Sequence, residues 1–202
     1  METPVTLTLA LTGASGALLT RVLLNRLERD TRVGHVDLVA SPHGLRVARG
    51  ELSLEVGRLD ELGERILQRP SSKIQVHDDH DIGANIASGT YRSAGMIVAP
   101  CSLGTCAAIA HGLADSLIER AADVCLKERR TLLLAPRETP LNLIHLRNLL
   151  AAAEAGATIF PLMPAFYDGA QTTTAMLEHF SARLLDHVGL PQPDAFQWTG
   201  AH

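Results

Sequence analysis

Residues 5–28 read VTLTLALTGASGALLTRVLLNRLE, and three kinds of local order follow one another within them. Val5–Leu11 is apolar and β-branched and predicts a buried strand. Thr12-Gly13-Ala14-Ser15-Gly16-Ala17 is a glycine-marked turn, and Ala17–Glu28 carries apolar residues at the three-to-four spacing of a helix. The same rhythm recurs downstream. His35–Ala40, Met96–Ala99, Thr131–Ala135 and Ala157–Phe160 predict further strands. Helical patterns lie near Gly44–Ala48 and Glu61–Leu67 and fill Ser116–Lys127, Leu141–Ala155 and Thr172–Val188. Short apolar strands bounded by helices predict an α/β fold of βαβ units on a mostly parallel sheet. Gln68–Ala87, polar and histidine-rich, reads as a loop with one short strand. Residues 1–189 form one expected α/β domain, and 190–202 (LPQPDAFQWTGAH) an expected C-terminal arm.

Composition removes several classes of function. The 202 residues carry 18 Lys+Arg against 22 Asp+Glu, a formal charge of −4. That balance argues against a nucleic-acid partner, which demands a basic face. Aromatic residues make up only 3% of the chain, too few for a base-stacking platform. With 46% apolar residues, a chain of this length can build a core without covalent staples. Cys101, Cys106 and Cys125 form no CxxC pair, so they read as small apolar residues in a reducing compartment. No uninterrupted apolar run of about 18 residues occurs, so no membrane span is expected. The N-terminus lacks the basic head of a secretory signal, and a cytoplasmic protein is expected.

In an open parallel sheet, ligands bind beyond the carboxyl ends of the strands, where strand order reverses. Four marked loops fall at such ends. Gly13–Gly16 allows close backbone approach and opens a helix whose free amides favour an anion. It matches neither the dinucleotide fingerprint nor a Walker loop, so a mononucleotide fits better than a dinucleotide. Ser102–Thr105 follows the Met96–Ala99 strand and opens another helix, where Ser102 and Thr105 also suit plain helix capping. Arg137 stands between Pro136 and Pro140, with Glu138 beside it as an alternative ion-pair partner. Pro161–Tyr167 is the fourth. His77, Asp78, Asp79, His80 and Asp81 crowd one segment without a fixed spacing, which reads as a solvated loop, and no metal is assigned.

Three segments carry a family resemblance: TGASGA (12–17), GMIVAPCSLGT (95–105), and ERAADVCLKERRTLLLAPRETPLNLIHL (119–146) continuing to PAFYDGAQ (164–171). Together they resemble the flavin prenyltransferases of UbiX type over essentially the whole chain. The resemblance implies a single-domain, three-layer, Rossmann-like flavoprotein fold. It implies reduced FMN as acceptor, dimethylallyl phosphate as prenyl donor, and prenylated FMN as product for a partner decarboxylase. The transfer is metal-independent, and the assembly is a dodecamer with sites between subunits. It assigns Gly13, Ala14, Ser15, Ser41, Ser102, Leu103, Gly104, Thr105 and Arg137 to the flavin. Lys127, Arg137, Glu138, Tyr167 and Arg183 fall to the prenyl donor, and Ser15 and Glu51 to catalysis. Glu51 stands ten positions after Ser41, as the family's glutamate does; by its position alone it reads as a solvated helix-end acid.

The chain departs from the family at Pro42-His43, where Lys is usual after the serine, at Asp168-Gly169-Ala170 after Tyr167, and at Ile82. These departures are expected to border the prenyl pocket and to bear on donor preference rather than on flavin binding. Two other readings compete: an FMN-binding accessory subunit of an aromatic-acid decarboxylase system, and a flavoprotein acting on a cysteine-like thiol. The second is disfavoured, because no His stands near Gly13–Ala17 and the LKERR and PRETP blocks are present.

Overall fold

The computed structural model describes residues 3–167, 169–197 and 200. Six strands, β1 (Val5–Leu11), β2 (Val33–Ala40), β3 (Ile74–Asp78), β4 (Gly95–Cys101), β5 (Thr131–Pro136) and β6 (Thr158–Ile159), pair in the order β3-β2-β1-β4-β5-β6. Every pairing is parallel. The helices are α1 (Ala17–Arg29), α2 (Pro42–Leu52), α3 (Leu62–Leu67), α4 (Leu103–Ala110), α5 (Leu117–Lys127), α6 (Leu143–Glu154) and α7 (Thr173–Asp186).

The two-residue period of the strands sorts their side chains into two cores. Leu7, Leu9, Leu11, Val36, Leu38, Ile97 and Leu133 face α1, α2, α3 and α7. Ala10, Val39, Met96, Val98, Leu132 and Leu134 face α4, α5 and α6. Strands covered on both faces read as continuous apolar runs, which is why β4 and β5 were recognisable without alternation.

Element boundaries moved where caps act. The helix expected near Gly44–Ala48 spans Pro42–Leu52. The Ser41 hydroxyl accepts the Gly44 N–H at 3.0 Å, Pro42 occupies the first turn, and Ser53 closes the end in the left-handed region (φ 51°). The extension places Glu51 on the last turn. The strand expected over 157–160 shortens to Thr158–Ile159.

The histidine-rich segment is not simply solvated. His77 is buried on β3, with Nε2 2.7 Å from Oδ1 of the fully buried Asp37. Asp79 is also buried, its carboxylate accepting the Ile118 N–H at 3.0 Å and its carbonyl the Leu117 N–H at 2.7 Å. Buried polar groups persist where partners meet them, and these two serve the β2–β3 pairing and the start of α5. Asp78 and Asp81 instead cap local turns, accepting from the N–H groups of His80 and Gly83.

Strand order reverses between β1 and β4. The turns after these two strands therefore diverge and leave a crevice at the carboxyl end of the sheet.

Candidate functional site

Thr12 ties the two sides of that crevice together. It is 1% exposed; its hydroxyl donates to the Pro100 carbonyl at 3.0 Å and accepts the Ser102 N–H at 2.7 Å. The turn after β1 and the start of α4 are thus held at one separation. Sequence reading quoted Thr12 only as the first letter of a glycine motif.

Glu51 reaches from the end of α2 to the start of α1. Its Oε2 accepts the N–H groups of Gly16 at 3.0 Å and Ala17 at 2.8 Å. Burial pushes this carboxyl up, but the Ser15 hydroxyl, the two amides and the charge of Arg137 outweigh it and hold it below its ordinary value. Glu51 thereby occupies the anion position that the first turn of α1 offers. Ser15, Glu51 and Arg137 converge, although 36 residues separate Ser15 from Glu51 and 86 separate Glu51 from Arg137. Arg137 makes no ion pair with Glu138 among the described residues; the Glu138 carboxylate accepts the Thr139 N–H at 3.0 Å. The glycine at position 16 (φ 128°) lets the loop after β6 close in, since a Cβ there would lie 2.9 Å from Leu162.

A cleft of about 430 Å³ adjoins this group, lined by Gly13, Ser41, Pro42, His43, Asp79, Ser102, Thr105, Ser116, Ile118 and Glu119. Ser102 caps α4: its hydroxyl accepts the Thr105 N–H at 3.2 Å and lies 3.0 Å from the Thr105 hydroxyl. The N–H groups of Leu103 and Gly104 meet no acceptor among the described residues. Ala14 is buried beneath the turn and Gly13 is exposed above it. Pro42 and His43, two of the positions where the chain departs from the family, line this cleft because the first turn of α2 folds over the end of β1. Asp168 lies outside the described residues, as does Trp198.

The remaining candidates fall elsewhere. Tyr167 and Arg183 line one small cavity with Phe180 and Phe196, and Arg183 lies over the Phe160 ring at 5.8 Å. Lys127 ends α5, paired with Glu128 beside Gly89. After a turn the chain enters β5 at Thr131, and Arg137 follows its last residue. Lys127 and Arg137 thus stand at opposite ends of a strand about 20 Å long. One copy of the chain does not bring them together.

Residues 1–182 match the Flavoprotein family. The chain is 41% identical to a probable UbiX-like flavin prenyltransferase of Streptomyces sp. (strain D7) over 194 residues, 96% of this chain and 92% of that protein. The structure of a dodecameric FMN-dependent UbiX-like decarboxylase from Escherichia coli O157:H7 superposes with a TM-score of 0.84 at 39% identity, covering 96% of this chain and all of that one. That of AnUbiX (PadA1) in complex with FMN and dimethylallyl pyrophosphate superposes with a TM-score of 0.83 at 39% identity, covering 98% of this chain and all of that one. With a switch-point crevice, a carboxylate held at the first helix and this likeness along nearly its full length, the chain belongs to the UbiX-like flavin prenyltransferase family.

Proposed function

We propose that the protein transfers a dimethylallyl group from dimethylallyl phosphate to reduced FMN. The observation that carries the reading is the Ser15–Glu51–Arg137 group at the mouth of the crevice. It unites a hydroxyl, a carboxylate kept ionised and a guanidinium beside a cleft furnished with neutral hydrogen-bond donors. FMN fits that donor set: hydroxyls at Ser41, Ser102 and Thr105, the unpaired amides of Leu103 and Gly104, and close backbone approach at Gly13 and Ala14. No lining residue demands a metal.

Reduced flavin supplies a ring nitrogen and the adjoining ring carbon as nucleophiles; the donor supplies an allylic carbon with phosphate as leaving group. Each residue has a task in that exchange. The guanidinium of Arg137 meets the negative charge that grows on the departing phosphate. Tyr167 and Arg183, which line a cavity of their own, complete the donor site together with Lys127 and Glu138 where copies of the chain meet. The bond at the nitrogen replaces the allylic C–O bond and frees the nitrogen's proton. The bond at the ring carbon opens the donor's double bond, whose inner carbon takes up one proton as the ring carbon gives one up, so that one proton in all is released. Glu51, ionised at neutral pH, accepts it through the Ser15 hydroxyl beside it.

The separation of Lys127 from Arg137 requires that the donor site draw on more than one copy of the chain. The face of α6 supports such contacts, exposing Leu143, Ile144, Leu146 and Leu150 by 50–64%. We assign the assembly as a dodecamer, the product as the cofactor of a partner decarboxylase, and the location as cytoplasmic. Among the described residues no helix is long and apolar enough to cross a membrane, and the three cysteines are free and buried.

The test is anaerobic mixing of protein, reduced FMN and dimethylallyl phosphate, followed by mass analysis of the released flavin. A flavin heavier by one dimethylallyl unit is expected. Tight FMN binding with unchanged flavin mass would instead make the chain an accessory FMN carrier.

A further inference from the structure

His43 is the one group of the cleft that neither the fold nor the proposed chemistry uses, and this inference rests on FMN occupying that cleft. Three charged or titratable side chains line it: Asp79, Glu119 and His43. Both acids are committed to backbone amides, Asp79 to Ile118 at 3.0 Å and Glu119 to Asp115 at 2.9 Å. A flavin phosphate adds close to two negative charges at neutral pH. Placed near two carboxylates it needs a donor that can carry positive charge. Arg137 does not line the cleft, and its charge bears on Glu51. The amides of the first turn of α1 are already filled by the Glu51 carboxylate.

His43 is placed for the role. It is exposed, and among the described residues its ring has no hydrogen-bond or ion-pair partner. Its backbone is set tightly against the turn after β1, since a Cβ on Gly13 would lie 2.8 Å from the His43 Cβ. The imidazole therefore lines the cleft wall beside Ser41, close to the neutral donors of Ser102 and Thr105. An imidazole donates from its ring nitrogens and is the side chain whose charge ordinarily changes within the physiological pH range.

We propose that His43 recognises the phosphate of FMN and makes the site select FMN over the unphosphorylated flavin, riboflavin. The test is fluorescence titration of the full chain and of the His43→Ala and His43→Gln variants with FMN and with riboflavin, alongside thermal melts to confirm folding. His43→Ala is expected to weaken FMN about tenfold, the value of one charge-assisted contact, and riboflavin by less than about twofold. His43→Gln, which keeps a neutral donor, is expected to fall between. An FMN-to-riboflavin preference unchanged in both variants overturns the assignment, as does an equal weakening of both flavins. If the unmodified protein transfers the prenyl group while that preference is unchanged in the variants, only the role of His43 falls. If the unmodified protein binds neither flavin, the proposed function falls with it.

Discussion

Replacing Gly44 with alanine tests whether the entry of α2 is set by backbone contact with β1. Gly44 is buried in the first turn of the helix, at an ordinary helical dihedral, so alanine is conformationally acceptable and gains about 1 kcal/mol in helix propensity. Space decides the sign. A Cβ at this position would lie 2.4 Å from the carbonyl oxygen of Leu11, 2.8 Å from its carbon and 3.0 Å from the Thr12 Cα. All three are backbone atoms at the end of β1 and the first residue after it, and the Leu11 oxygen also accepts the Ser41 N–H at 3.0 Å. Relief requires α2 to move off β1. Overpacking typically costs ~1–3 kcal/mol, and a rigid backbone neighbour argues for the upper part of that range. Set against the propensity gain, a net loss of about 2 kcal/mol remains, a fall in Tm of roughly 4–8 °C for a chain of this size. Because Ser41 and His43 ride on the displaced turn, FMN affinity falls as well. Differential scanning fluorimetry with and without FMN reads both effects. A variant that melts at or above the parent temperature and binds FMN normally would refute the contact reasoning.

Three further outcomes are expected. Glu51→Gln keeps an acceptor for the Gly16 and Ala17 amides but loses the charge, so folding and FMN binding persist while turnover falls ~10²–10³-fold in single-turnover mass analysis; near-normal turnover would remove Glu51 from the chemistry. Lys127→Ala and Arg137→Ala chains, each inactive alone, are expected to regain about a quarter of the parent activity when dissociated, mixed and reassembled at random, because a shared site can draw its intact residue from each; no recovery would mean that one chain supplies both. Asp30 is held down to about 2 by its hydrogen bond to Arg32, which outweighs burial. Its depressed folded-state value means that its stabilisation is complete above the ordinary 3.8 and is lost as pH falls from there towards 2. Asp30→Asn is expected to flatten the stability–pH curve in that window, as read by urea unfolding, and an unchanged slope would count against the pairing.

The local order of the chain was legible from residue types alone. Apolar runs such as Met96–Ala99 and Thr131–Ala135 declare buried strands, the three-to-four pattern of Ala17–Glu28 declares a helix, and glycine or proline marks the strand ends. These signals act over a few residues, where backbone dihedrals and side-chain period are set. The motif blocks also named Ser15 and Arg137 as candidates, and the family's ten-position spacing from Ser41 named Glu51. What no local pattern carries is the choice of partner. Glu51 reads as a solvated helix-end acid until α2 folds back over β1 and delivers it to the amides of Gly16 and Ala17. His77 and Asp79 read as loop residues until β3 pairs with β2 and α5 docks. Lys127 and Arg137 sit ten positions apart in one motif run, yet β5 holds them at opposite ends of the sheet. Pro42 and His43 line one cleft with Ser102 and Thr105, which follow a different strand. In each case strand order and helix placement choose the partner. Those depend on burying two apolar faces at once across the whole sheet, a condition that only the folded chain satisfies.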